Sequence, residues 1–352
     1  MDEYFSMKLR DPWKIIIGSS WLLVIFFFTI SCTQLNEAHR RRTLEARNNL
    51  KKQYVTMARS DSGILDSSSS LKLESKHYVL IFSEDIQKLK DYDSADERRG
   101  VGHGSLVYME SLYNFVHDIF GFEPSNQDVY GFEPNQKIRI VLHDFYNGSK
   151  HQAVTQTQSR TEYQNGGLIK KITGIQMDFP VEMYNQRPVK AHELAHAFTN
   201  IYLLPTWFAE GIAVLVEVEY AEGNEHGKVD LHDDLKLDLD GVNAAQSWRG
   251  HGSATLGPLT HWCYNYSYSI VSELKQRYGS QFYPNFFRLI EEDRLHQKLP
   301  GAMKDSFLVY YLSQSAGEDL IPFFQNLKFK VSKLSRNDIL AMIQQMNLII
   351  TQ

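Results

Sequence analysis

The chain has 352 residues, 43% hydrophobic and 22% charged, which is long and apolar enough to build a sizeable core. Its formal net charge of -5 carries no basic excess and argues against a nucleic-acid partner. Two cysteines, Cys32 and Cys263, exclude a disulfide scaffold and give no metal-ligand spacing; Cys263 reads as a buried free thiol.

Ile15 to Ile30 is an uncharged apolar run preceded by Lys8, Arg10 and Lys14. It is short for a spanning helix, which needs about 20 apolar residues, and suits the core of a signal peptide. Ser31-Cys32 follows directly. That arrangement resembles a bacterial lipoprotein signal in which Cys32 carries the lipid, with Thr29 departing from the usual Leu, Val or Ile. The alternative is an uncleaved signal anchor, whose orientation is left open by Arg40, Arg41, Arg42 and Arg47 beyond it. Residues 1–32 are therefore expected to target a membrane, with the remainder in the cell envelope outside the cytoplasm. Residues 33–70 read as a polar stalk ending in a serine-rich linker, Ser60 to Ser70.

The folded domain is expected over 71–352. Leu71 to Phe82 alternates and then becomes a β-branched apolar run, a strand pattern. Ala95 to Phe120 carries Val107, Leu112, Phe115, Val116 and Ile119 at helical spacing, with Gly121 as its stop. Gly121-Phe122-Glu123-Pro124 recurs as Gly131-Phe132-Glu133-Pro134, which reads as an enlarged surface loop. Lys137 to Leu142 is a strand candidate, as is Ile172 to Phe179, with Ile175, Met177 and Phe179 on one face.

Pro188-Val189-Lys190-Ala191 then opens a helix that continues as His192-Glu193-Leu194-Ala195-His196. Residues four apart share one helix face, so both imidazoles can reach one ion, and Glu193 stands where it can take a proton from a water beside that ion. Zinc needs a third protein ligand. After the break at Leu204-Pro205, Thr206-Trp207-Phe208-Ala209-Glu210-Gly211 begins a second helix that can pack back on the first. Glu210 sits among apolar neighbours where an unpartnered carboxylate is costly, so it is the candidate third ligand. Further helical spacing follows over Ser267 to Tyr278, Phe282 to Glu291, Phe307 to Ser315, Asp319 to Leu327 and Asp338 to Asn347. This order predicts an α+β fold: a mixed β-sheet with helices over 71–188, and the metal-binding helix with a mainly helical part over 189–352.

His192-Glu193-x-x-His196 followed by Trp207-Phe208-x-Glu210-Gly211-x-Ala213 resembles the gluzincin zinc metallopeptidases of the peptidase MA-like group. Tyr264-x-x-Ser267 through Tyr278-Gly279 is similar to their downstream helix, and Ser313 to Phe324 to their C-terminal helical region. The resemblance spans roughly Leu71 to Val331. It implies a zincin-like fold and one Zn2+ per chain on His192, His196 and Glu210. It further implies hydrolysis of a peptide or protein substrate with Glu193 as general base. A Tyr or His from the downstream helices would donate to the oxyanion; Tyr264 is the candidate, ahead of Tyr266, His251 and His261. The strand Ile172 to Phe179 would be the sheet edge that holds the substrate. Val214 stands four residues after Glu210, where some thermolysin-like enzymes place an Asp that orients a ligand His, leaving Asn200 and Glu217 as candidates for that role. The rival expectations are a membrane-tethered zinc-binding module without proteolytic activity, and an envelope protein in which the motif is accidental. The substrate and the oligomeric state are not legible.

Overall fold

A computed structural model of the chain describes residues 65–66, 72–89, 101–124, 136–143, 152–164, 167–220, 226–233, 237–249, 257–293 and 303–350. The expected targeting segment and most of the stalk and linker lie outside these residues. Among the described residues no helix is long and apolar enough to cross a membrane.

The fold is α+β around one mixed six-stranded sheet of order β1-β2-β3-β4-β6-β5. The short strands β1 (Leu65–Asp66), β2 (Lys72–Glu74) and β3 (Tyr78–Ile81) form its antiparallel end. The single strand expected over Leu71 to Phe82 is therefore a hairpin. Its turn closes with Ser75 N–H donating to Tyr78 O at 3.0 Å. A one-turn helix α1 (Glu84–Gln87) follows.

Helix α2 (His103–Phe120) starts later than the expected Ala95; residues 95–100 lie outside the described ones. It ends at Gly121, whose φ of 77° is left-handed and whose added Cβ would lie 2.8 Å from Pro284 Cβ. Glycine alone suits that turn, on both grounds. Glu110 of α2 grips the hairpin: Ser75 Oγ and His77 N–H donate to Oε1 at 2.5 and 2.8 Å, and His77 Nδ1 lies 2.6 Å from Oε2. The segment after α2 is not a simple surface loop. Phe122 is buried among Phe198, Tyr202 and Phe287, with centroids 4.9–5.8 Å away. The second copy of the repeat lies outside the described residues.

Strand β4 (Ile138–His143) lies parallel to β3, and β5 (Val154–Gln164) and β6 (Gly167–Pro180) form a long antiparallel pair, with β6 parallel to β4. Here the structure corrects the sequence reading. The Ile172 to Phe179 segment belongs to β6, which is interior, between β4 and β5; the sheet edge is β5. The physical reason is visible along each strand. Ile172, Ile175, Met177 and Phe179 of β6 are buried, whereas β5 presents exposed Gln156, Gln158, Ser159 and Arg160 and a register shift at Gln158/Ser159, the polar and irregular dress of an edge.

After the single turn of α3 (Val181–Tyr184) comes α4 (Arg187–Thr199), with Pro188 in its first turn. A 3-10 turn, Asn200–Tyr202, and Leu203 in a left-handed conformation (φ 52°) reverse the chain into α5 (Thr206–Tyr220). Eleven of the fifteen positions of α5 are buried, as expected for a mostly apolar helix at the centre of a fold. Helices α6 (Leu239–Ser247), α7 (Thr260–Tyr278), α8 (Phe282–Glu292), α9 (Asp305–Ala316), α10 (Ile321–Asn326) and α11 (Arg336–Ile350) complete the helical half. Of these, α6 has no counterpart in the sequence reading. One continuous hydrophobic core runs from the sheet through α2, α4 and α5 into these helices.

Candidate metal centre

Two helices, α4 and α5, carry the site, and small residues mark their close packing in the core. Ala191, Ala195 and Ala197 of α4 are buried, and Gly211 of α5 meets α7 so tightly that an added Cβ would lie 2.7 Å from Ser267 O and 2.9 Å from Val271 Cγ2. No side chain fits there without moving a helix. That packing sets the depth of the neighbouring Glu210, which is 2% exposed.

The structure brings His192, His196 and Glu210 together. His192 Nε2 lies 3.0 Å from His196 Nε2 and 3.0 Å from Glu210 Oε2, and His196 Nε2 lies 3.5 Å from the same oxygen. The three residues offer one ligand atom each, all within 4.8 Å of one another. Tetrahedral ligation with bonds of about 2.0–2.1 Å requires ligand atoms about 3.3 Å apart, so the spacing fits a small cation.

Glu217, two turns after Glu210 on α5, reaches the other nitrogen of the same ring: His192 Nδ1 lies 2.5 Å from Glu217 Oε1. The imidazole then carries its hydrogen on Nδ1 and aims the Nε2 lone pair at His196 and Glu210. Lone pairs converging on a carboxylate at this distance repel unless a cation lies between them. The donor set fits a bound metal. Burial pushes the His192 imidazole down, but Glu210 and Glu217 more than reverse this and raise it well above its ordinary value. Burial likewise pushes the Glu210 carboxyl up, and the His196 and His192 imidazoles bring it far below the usual carboxylate range.

Of the two residues considered for orienting a ligand His, Glu217 is in contact and Asn200 is not. Asn200 Nδ2 instead donates to the main-chain oxygen of Thr155 at 3.3 Å. Its place at the end of α4 faces it toward the sheet edge rather than the ligands. Glu217 Oε2 also lies 3.5 Å from Nε2 of His226, a residue that sequence reasoning passed over because it stands in no motif.

A cleft of about 280 Å³ opens over these groups. Glu193, 6% exposed, lines it together with His192, His196, Glu210 and Tyr264. Gln152 to Thr155 form one wall, and Met183 and Val189 contribute to another. Thr155 was also missed: its hydroxyl lies 2.6 Å from Glu193 Oε2 and 2.9 Å from Glu193 O.

Tyr264 of α7 is half-buried, its ring 6.1 Å from that of His192 and 5.0 Å from that of Trp248. Burial, followed by the nearby Glu210 carboxylate, pushes its phenol far up, so the hydroxyl remains a donor at all physiological pH values. Tyr266 is fully buried and donates to Leu327 O at 3.0 Å, His261 is exposed and stacks on His226, and His251 lies outside the described residues. Cys263 is a free thiol, fully buried, with Sγ 3.8 Å from Gly241 O.

No family model and no curated protein matches the sequence. Among solved structures, a mutant of a conserved protein of unknown function from Bacillus anthracis str. Ames is similar over 82% of this chain, at 18% identity and a TM-score of 0.42. The chain spans about half of that protein's length, matching 52% of it.

Proposed function

We propose that this protein is a zinc-dependent peptidase with a zincin-like fold, hydrolysing peptide bonds in the cleft over α4. The observation that carries the reading is one cleft lined by two imidazoles and a carboxylate at ligand spacing, with a second carboxylate, Glu193, beside them. His192, His196 and Glu210 would hold one zinc ion. When bound, such an ion supplies Lewis acidity, which lowers the pKa of water and polarises a carbonyl.

The chain's own residues perform the rest. Glu193 accepts a proton from the attacking water and delivers it to the leaving amine. Tyr264, kept as a phenol, donates a hydrogen bond to the oxygen of the carbonyl under attack. Glu217 holds the His192 ring in the orientation and tautomer that ligation requires. The edge strand β5 offers to an extended peptide the outer main chain beyond Thr155, whose carbonyl accepts from Asn200, and its Ala153–Thr155 end lies in the cleft wall. In this reading the N-terminal segment tethers the domain to a membrane, outside the cytoplasm.

The test is metal content and hydrolysis measured together. The purified protein should hold one zinc per chain, and His196→Ala should lose it; an unchanged metal content in that variant sinks the site. Glu193→Gln should keep zinc and lose peptide hydrolysis. A zinc-loaded wild-type protein that cleaves no peptide from a broad library would leave a binding module in place of an enzyme.

A further inference from the structure

Thr155 is a buried hydroxyl on the sheet edge, 3% exposed, with its carbonyl and its side chain both engaged by the active-site helix region. Asn200, just past the end of α4, donates to its main-chain oxygen at 3.3 Å. Its own hydroxyl faces Glu193, 2.6 Å from the carboxylate oxygen Oε2 and 2.9 Å from the main-chain oxygen. Strand β5 is held on its other side by the ladder to β6, where Thr155 stands opposite Met177. A β-branched side chain in a strand has few χ1 choices, so the hydroxyl's position follows from the backbone.

We propose that Thr155 is the positioning residue for Glu193. It donates its single hydrogen to Oε2, fixes the carboxylate's rotamer, and leaves Oε1 as the oxygen that accepts the proton of the attacking water. This rests on the peptidase reading above and adds a link to it. The strand that would seat the peptide is also the strand that aims the base, so substrate register and base geometry are set by one backbone. A carboxylate free to swing away from the attacking water would lose part of the advantage of a positioned base, and a displacement of about 1 Å can cost on the order of 100-fold in rate. A merely structural hydroxyl would give a different signature, because its loss lowers stability and leaves the turnover of the folded protein unchanged.

Three variants of the zinc-loaded full-length protein separate these roles: Thr155→Ser, Thr155→Ala and Thr155→Val. Fluorescein-labelled casein is the substrate probe and acetohydroxamate the ligand probe, since a hydroxamate gives its proton to the base when it binds at such a centre. Thr155→Ala and Thr155→Val should lower kcat roughly 10- to 100-fold, with KM and zinc content within about twofold of wild type. Both should weaken acetohydroxamate in the same direction as Glu193→Gln. Thr155→Ser, which differs from Thr155→Ala by one oxygen atom, should restore both readouts to within about threefold of wild type. Full kcat in Thr155→Ala, or a Thr155→Ser variant no better than Thr155→Ala, overturns the proposal. If wild type holds zinc and binds acetohydroxamate but cleaves no casein, the peptidase reading fails there. The hydroxamate comparison then decides Thr155 by itself: affinity sensitive to Glu193→Gln but not to Thr155→Ala overturns it.

Discussion

Three of the side chains at the centre are ionisable groups buried where charge is costly, with His192 half-buried beside them, and each is tolerable only through its neighbours. Glu210, Glu217, His192 and His196 form one connected group in which removal of any member strands another. Glu217 is the member with the least obvious role, since it touches no other ligand than His192. Glu217→Gln should retain a hydrogen-bonding side chain but lose the charge that fixes the ring's tautomer. Its zinc dissociation constant should rise by about 10- to 100-fold, measured by competition with a chromophoric chelator. Tyr264→Phe tests the donor separately. It should lower kcat by about 100- to 1000-fold and weaken zinc far less, because the hydroxyl contributes to the transition state and only supports Glu210 from beside it.

At the scale of elements, two joints position the site. The α5–α7 contact at Gly211 is the first. Gly211→Ala inserts a methyl where Ser267 O stands 2.7 Å away, so it should cost about 1–3 kcal/mol of stability, read from denaturant unfolding. Because Glu210 is the next residue, the same variant should bind zinc more weakly. The second joint is the clasp of Glu110 on the β2–β3 hairpin. Burial raises the Glu110 carboxyl, but His77 and Ser75 bring it below its ordinary value of 4.5. A carboxyl depressed in the folded state stabilises above its unfolded pKa, and that contribution disappears as pH falls through the folded value. The difference in melting temperature between wild type and Glu110→Gln should therefore shrink on acidification below about pH 4.5.

Across the whole molecule, legibility follows how local each signal is. Helices α4 and α5 were readable because His192, Glu193, His196 and Glu210 lie within a few turns of one another, and helix periodicity turns sequence distance into facing directions. The mixed sheet and helical second half also emerged from local periodicity. Strand β5 did not, because its Thr-Gln-Thr-Gln alternation is polar on both faces and shows no apolar stripe. The hairpin was fused into one strand because Ser75, Lys76 and His77 carry no glycine or proline, and the turn is held by Glu110 from a distant helix. Thr155 was found by contact alone, touching Glu193 across a gap that no motif spans, whereas Glu217 was one of two sequence candidates and its contact with His192 singled it out from Asn200.

A metal held jointly by α4 and α5 at the centre of the core should also couple binding to global stability. At zinc a hundredfold above its dissociation constant, stabilisation should be about 2.7 kcal/mol. For a chain of this size that is a rise in melting temperature of roughly 3–5 °C, reversed by EDTA and absent in His196→Ala.

The burial of Cys263 makes the protein its own clock. Its sulfur is fully covered, and burial, with Asp238 nearby, pushes its thiol up to about 11, so alkylating reagents meet neither access nor thiolate in the closed fold. With Cys32→Ser as background, incorporation of iodoacetamide counts the moments when the α6–α7 contact opens. If that opening is part of global unfolding, zinc should slow labelling in proportion to its occupancy. If α6 breathes alone, labelling should ignore the metal, and the rate measures how independently that helix moves.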